Sequence, residues 1–173
     1  FYGCLFPIIH YCAKVIIKSI RYLRGEKMTT DKYWENFIEE NPDYKDKAYE
    51  AWQFGEDPDT LAELVVQGTK TLTCSSLREY QVENEPLPEV GDVSLILDAA
   101  DQPKCVIENT KVYTMKFSDV DADIAYKEGE GNRTLAYWRK SHLEFFEWLY
   151  EKLGHEFSES EEIVVEEFRV IYK

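Results

Sequence analysis

The apolar residues change period twice along the chain, and this limits the fold more than any single motif does. Residues 30–68 read in helical spacing, residues 71–117 read as strands, and helical spacing returns before a last strand. Thr30 or Asp31 can cap a helix whose face is Tyr33, Trp34, Phe37 and Ile38, and Asn41-Pro42-Asp43 stops it. A second helix is expected over residues 44–52. For a third, Asp57 supplies the cap, Pro58 the first turn and Gly68 a left-handed terminator, with Leu61, Leu64 and Val65 as the face. Strands are expected at residues 71–74, 93–97, 104–108, 110–117 and 163–172, with a loop at 83–89. Ser118-Asp119 can cap a short helix. A long helix opens at Arg133 or Thr134, carries Leu135, Trp138, His142, Phe145, Leu149 and Leu153 on one face, and ends at Gly154. This order is α+β: a small curved sheet or β-barrel with helices packed around it.

Charge divides the chain at Met28. The 173 residues carry 20 Lys+Arg against 34 Asp+Glu, a net −14. Residues 1–27 hold five basic residues and one acid, a net +4, which leaves 15 basic and 33 acidic residues, a net −18, for residues 28–173. The uncharged run at residues 1–13 falls short of the roughly 20 residues that span a bilayer. Basic residues follow it instead of preceding it, which does not fit a secretory signal. Val15, Ile16, Ile17, Ile20 and Leu23 can share the face of a membrane-surface helix. Arg24-Gly25-Glu26-Lys27 can equally be encoded by AGA-GGA-GAA-AAA, a purine-rich stretch like a ribosome-binding site ahead of a start codon. The expectation is that residues 1–27 are a non-native upstream extension, or an unstructured or amphipathic segment. Residues 28–173 then form a single domain with no membrane partner.

The net acidity excludes a general nucleic-acid coat protein and long duplex nucleic acid as a partner, because phosphate binding needs concentrated Lys and Arg. At 44% hydrophobic and 14% aromatic residues the chain can bury a core, which excludes wholesale disorder. Beyond the extension only Cys74 and Cys105 remain, with no CxxC and no Cys/His cluster. No structural zinc, disulfide framework or cofactor is expected. Reduced thiols imply a cytoplasmic location.

Four stretches carry candidate chemistry. In Gly68-Thr69-Lys70-Thr71-Leu72-Thr73 a glycine ends a helix and a lysine opens a strand; the spacing is not that of a P-loop. Strict alternation would turn Lys70 and Thr73 to opposite faces, whereas an irregular start would let both line one cleft. In Glu128-Gly129-Glu130-Gly131-Asn132-Arg133, two glycines let backbone approach a ligand closely beside two carboxylates and a guanidinium. In Trp138-Arg139, His142 follows one turn later on the apolar face, so it is either a packed core histidine or a base, and Arg139 can meet a phosphate or an acid. Trp52, in Trp52-Gln53-Phe54-Gly55, can stack on a nucleobase or fill the core.

Taken together and in this order, Gly68-x-Lys70-x-x-Thr73, Gly91-Asp92 before a strand, Glu128 to Arg133 leading into Trp138-Arg139-x-x-His142, and a closing strand with Phe168 resemble the ASCH family. That family is a branch of the PUA-like β-barrel proteins, and the chain looks closest to its bacterial stand-alone members. The resemblance implies a small barrel with a cleft that takes RNA or a modified, nucleoside-like small molecule. Some members act as ribonucleases. One subgroup looks like amidohydrolases of acetylated cytidine, whose Lys, Thr and Glu fall on Lys70, Thr73 and Glu128, with Glu130 the alternative carboxylate. In that scheme Lys70 acts as base, provided burial lowers its pKa, Thr73 attacks the acyl carbon and Glu128 relays a proton. The chain departs from the subgroup at Ser75, where an Arg is expected. Trp52, Glu130, Arg133, Arg139 and His142 complete the expected ligand site. The alternative is a binding or regulatory module without chemistry, for a nucleotide-like ligand or a protein partner.

Overall fold

The structure is a computed structural model that describes residues 28–173; the expectation for residues 1–27 lies outside the described residues. Five strands form one curled mixed sheet in the order β1-β3-β4-β5-β2. They are β1 (Glu50–Gln53), β2 (Leu72–Ser76), β3 (Val93–Leu97), β4 (Pro103–Lys116) and β5 (Glu162–Tyr172). Among the described residues five α-helices cover this half-barrel: α1 (Thr30–Glu40), α2 (Pro58–Val66), α3 (Leu77–Glu83), α4 (Ala122–Glu128) and α5 (Leu135–Lys152). The α+β expectation of a small barrel-like sheet wrapped by helices is the fold observed. Among the described residues, no helix is long and apolar enough to cross a membrane.

Local signals set most elements. Asp57 caps α2 by accepting from the Thr60 N–H, and Pro58 is its first residue. Thr134 caps α5 by accepting from Tyr137. Each end leaves backbone N–H groups without intrahelical partners, and these side chains satisfy one each. Three apolar clusters hold the helices to the sheet. Helix α5 buries Trp138, Phe146 and Tyr150 against Leu72, Ile163 and Val165. Helix α2 buries Ala62 and Val65 against Ile96, Ile107 and Phe168, and α1 buries Trp34 and Phe37 against Leu95 and Val106.

Four expectations are corrected. Residues 44–52 are not a helix: a short 3-10 turn at Pro42–Tyr44 leads into strand β1, which pairs parallel to β3 with Trp52 opposite Ile96. Residues 77–83 form α3, capped by Ser76 through the Glu79 N–H, where no helix was expected between the strand at 71–74 and the loop at 83–89. The two strands expected at 104–108 and 110–117 are one strand, which absorbs an irregularity in its ladder between Asn109 and Lys111. Phe117–Asp119 is a 3-10 turn, and the cap of α4 is Asp121, which accepts from Asp123 and Ile124.

The connection from α4 to α5 sits directly on the chain entering β2. Gly129 is left-handed at φ +82°, and a Cβ there would lie 2.6 Å from the Thr69 carbonyl oxygen and 2.9 Å from the Lys70 Cα. Gly68 is also left-handed, at φ +76°, but has nothing within 4 Å. Gly129→Ala is therefore expected to cost on the order of 2–4 kcal/mol, a melting-temperature loss of roughly 5–15 °C, against about 1 kcal/mol for Gly68→Ala. Thermal unfolding of the two variants checks this, and equal losses would contradict the close approach.

Candidate functional site

A cavity of about 490 Å³ opens between the β1 side of the half-barrel and helix α5. Lys70 enters it from a clamped turn. The Thr69 and Lys70 N–H groups both donate to the Leu64 carbonyl, at 2.9 and 3.0 Å, as α2 ends. Thr71 then donates to the Lys127 carbonyl at 2.8 Å and accepts from the Phe168 N–H at 3.0 Å. Strand β2 begins only at Leu72, so strict alternation does not govern Lys70. Lys70 and Thr73 line the same cavity.

The Lys70 side chain is 1% exposed, and its ammonium meets three acceptors. Glu130 Oε1 lies at 2.8 Å, Glu128 Oε1 at 3.5 Å and the Glu128 carbonyl at 3.4 Å. The Phe54 ring centroid is 5.2 Å away. Glu128, 2% exposed, closes α4 and receives four donors: the Lys70 ammonium, the Cys74 N–H at 3.1 Å, His142 Nε2 at 3.3 Å and the Trp138 indole N–H. Such a carboxylate is near its acceptor capacity. His142 Nδ1 lies 3.0 Å from the Trp138 carbonyl oxygen, and its ring stacks on the Trp138 indole at 4.1 Å and 14°. Nδ1 thus donates to a carbonyl while Nε2 faces the Glu128 carboxylate, an arrangement that favours the imidazolium form of His142.

The electrostatics agree with this geometry. Burial opposes the charge on each of Lys70, Glu128 and His142, and in each case the partners outweigh it. Glu130 and Glu128 raise Lys70 above its ordinary value. His142 and Lys70 hold Glu128 well below the usual carboxylate range. Glu128 raises His142 above 6.5. The condition attached to Lys70 as a base is therefore not met: burial acts to lower its pKa, but the Glu130 and Glu128 carboxylates outweigh it and raise the pKa above its ordinary value. The Cys74 thiol also lines the cavity, but burial and the Glu128 carboxylate push it well up, so it is not a thiolate nucleophile.

Of the expected site residues, Lys70, Thr73, Glu128, Glu130, Trp52 and His142 come together on the cavity. Arg133 and Arg139 do not. Arg133 lies over the Tyr126 ring at 3.5 Å and donates to the Tyr126 carbonyl, while Arg139 is spent on the Ser118 and Val120 carbonyls and Glu159. Sequence reasoning placed Trp138 on the core face and missed its bond to Glu128; the four-residue spacing to His142 was the available signal. It gave no site role to Phe54, Tyr137, Phe145 or Trp148, which supply further aromatic wall. Among the described residues no group of three or more His, Cys, Asp or Glu could hold a metal ion.

The clefted half-barrel and this buried Lys–Glu–His cluster define a small α+β domain built around one side-chain-lined cavity. The ASCH domain family model matches residues 50–172, and the chain belongs to the ASCH family. The crystal structure of an ASCH domain from Lactobacillus crispatus JV V101 superimposes with a TM-score of 0.80 at 30% identity, over 88% of this chain and 100% of that one. A protein of Enterococcus faecalis V583 superimposes with a TM-score of 0.75 at 34% identity, over 82% of this chain and 87% of that one. No curated protein matches the chain significantly.

The signs of the shifts fix the pH window of the cluster. A raised His142 contributes stability that is complete below pH 6.5 and is lost as pH rises through its folded value. A depressed Glu128 contributes stability that is complete above pH 4.5 and is lost as pH falls through its folded value. NMR titration of the His142 ring is expected to give a midpoint above 6.5 in the native protein. In Glu128→Gln, with the carboxylate gone and burial remaining, the midpoint should drop below 6.5. An unmoved midpoint would refute the pairing.

Proposed function

We propose that the cavity binds a modified nucleoside and hydrolyses an amide on it. The observation that carries this reading is a fully buried ammonium, held by two carboxylates, in an aromatic-walled cavity that also contains a threonine hydroxyl. Buried, mutually paired ionisable groups in a cleft are where chemistry is found.

The roles follow from the protonation states. Lys70, as an ammonium, donates to the substrate carbonyl oxygen and stabilises the negative charge that develops there. Glu128 is held by four donors, so the proton relay passes to Glu130, which is 28% exposed at the cavity. Thr73 Oγ adds to the acyl carbon as its proton moves to Glu130. The C–N bond then breaks, and that proton leaves on the amine. Water attacks the resulting ester and releases the acid and the free threonine. The net −18 of residues 28–173 favours a nucleoside over long RNA, whose phosphates would be repelled. The reading without chemistry is supported by the same ammonium, which equally suits a fixed hydrogen-bond donor to a ligand.

Release of acetate from N-acetylcytidine tests the two. The native protein is expected to turn it over. Thr73→Ala should lose about 100-fold or more while still binding, and Lys70→Ala should lose both turnover and binding. Lys70-dependent binding with no turnover by the native protein would establish the binding module instead.

A further inference from the structure

The four ionised groups at the base of the cavity neutralise one another: Lys70 and His142 are positive, and Glu128 and Glu130 are negative. Three more carboxylates line the same cavity. Glu56 and Asp57 lie between β1 and α2, and Glu144 lies on α5; all three are exposed. Asp57 is engaged in capping α2, and neither Glu56 nor Glu144 meets a cation among the described residues. The lining therefore holds five carboxylates against two cations.

The apolar part of the wall is mostly aromatic, contributed by Trp52, Phe54, Tyr137, Phe145 and Trp148, with Leu61 and Leu64 beside them. Two of the protein's own cations already lie against rings at this site: the Lys70 ammonium by Phe54 and the His142 imidazolium on Trp138. Aromatic faces attract cations through their quadrupole, most strongly where water is excluded. The Trp52 indole N–H is buried with no acceptor among the described residues.

We propose that the cavity selects a flat heteroaromatic ring carrying positive charge, such as an N-alkylated nucleobase, and no phosphate. The inference rests on the reading of the cavity as a nucleoside site. Rings on the walls take the faces of the base. The mouth carboxylates lie within a Debye length of a ligand in the cavity and balance its charge. A 5′-phosphate adds two negative charges where three are already unbalanced, and is repelled.

Calorimetric titration of the whole chain with paired nucleosides tests this: 3-methylcytidine, a cation at neutral pH, against cytidine, and 1-methyladenosine against adenosine. Each methylated nucleoside is expected to bind at least tenfold more tightly than its neutral partner, and cytidine 5′-monophosphate more weakly than cytidine. In the double variant Glu56→Gln, Glu144→Gln, whose side chains are exposed, the preference should fall severalfold while cytidine binding holds. Raising the salt concentration should shrink it in the native protein. Equal or weaker binding of the methylated nucleosides, with cytidine binding still abolished by Lys70→Ala, would overturn the charge preference and leave the nucleoside reading standing. Binding of none of these would overturn both.

Discussion

The carboxylate of Glu128 is the group on which the rest of the site depends. A lone carboxylate in this position would be neutral, since removing its charge from water costs several kcal/mol. Here the Lys70 ammonium, the His142 imidazolium, the Trp138 indole and a backbone N–H of β2 all converge on it. Each of these groups needs the carboxylate as much as it needs them. Lys70 without it would retain Glu130 and a carbonyl, and His142 would lose its reason to be charged. Removing one member of such a set strands the others, at a cost on the order of 3–5 kcal/mol.

The backbone is arranged to make this meeting possible. Segments far apart in sequence are brought together: the end of α2 with β2, the end of α4, and one face of α5. Gly129 lets the chain after Glu128 lie against the backbone of Thr69 and Lys70 without a side chain between them. The turn before β2 is fixed by two bonds to the Leu64 carbonyl, so the Lys70 side chain enters the cavity from a rigid base. Two of the wall aromatics, Trp52 and Phe54, by contrast sit on and just after β1, a four-residue edge strand that among the described residues pairs only with β3.

Much of this was legible in the sequence where local chemistry decides the outcome. Helices α2 and α5 announce themselves by cap, period and terminator, and β5 by its run of β-branched residues. Strand β1 was not legible, because Ala48, Ala51 and Trp52 suit a helix as well as a strand; the buried ladder of β3, distant in sequence, decides the matter. Helix α3 buries little beyond Glu79 and so shows no apolar stripe. At the site, Lys70, Thr73, Glu128 and His142 could be singled out by residue type and order. Their protonation states could not, because each depends on which charge folding brings alongside. The same limit applied to Arg133 and Arg139: only the fold shows that nearby carbonyls and rings already occupy their guanidiniums.

The division between a self-neutralised base and an unbalanced rim has a consequence for how such a pocket can be altered. Substitutions among Lys70, Glu128 and His142 act on folding and on the charge at the base of the cavity at once, because those charges are buried and shared. Substitutions at Glu56 and Glu144 act on exposed positions, where stability usually changes by no more than about 0.5 kcal/mol. What the pocket admits can thus drift or be re-engineered in small steps, one mouth residue at a time, over an interior that stays the same.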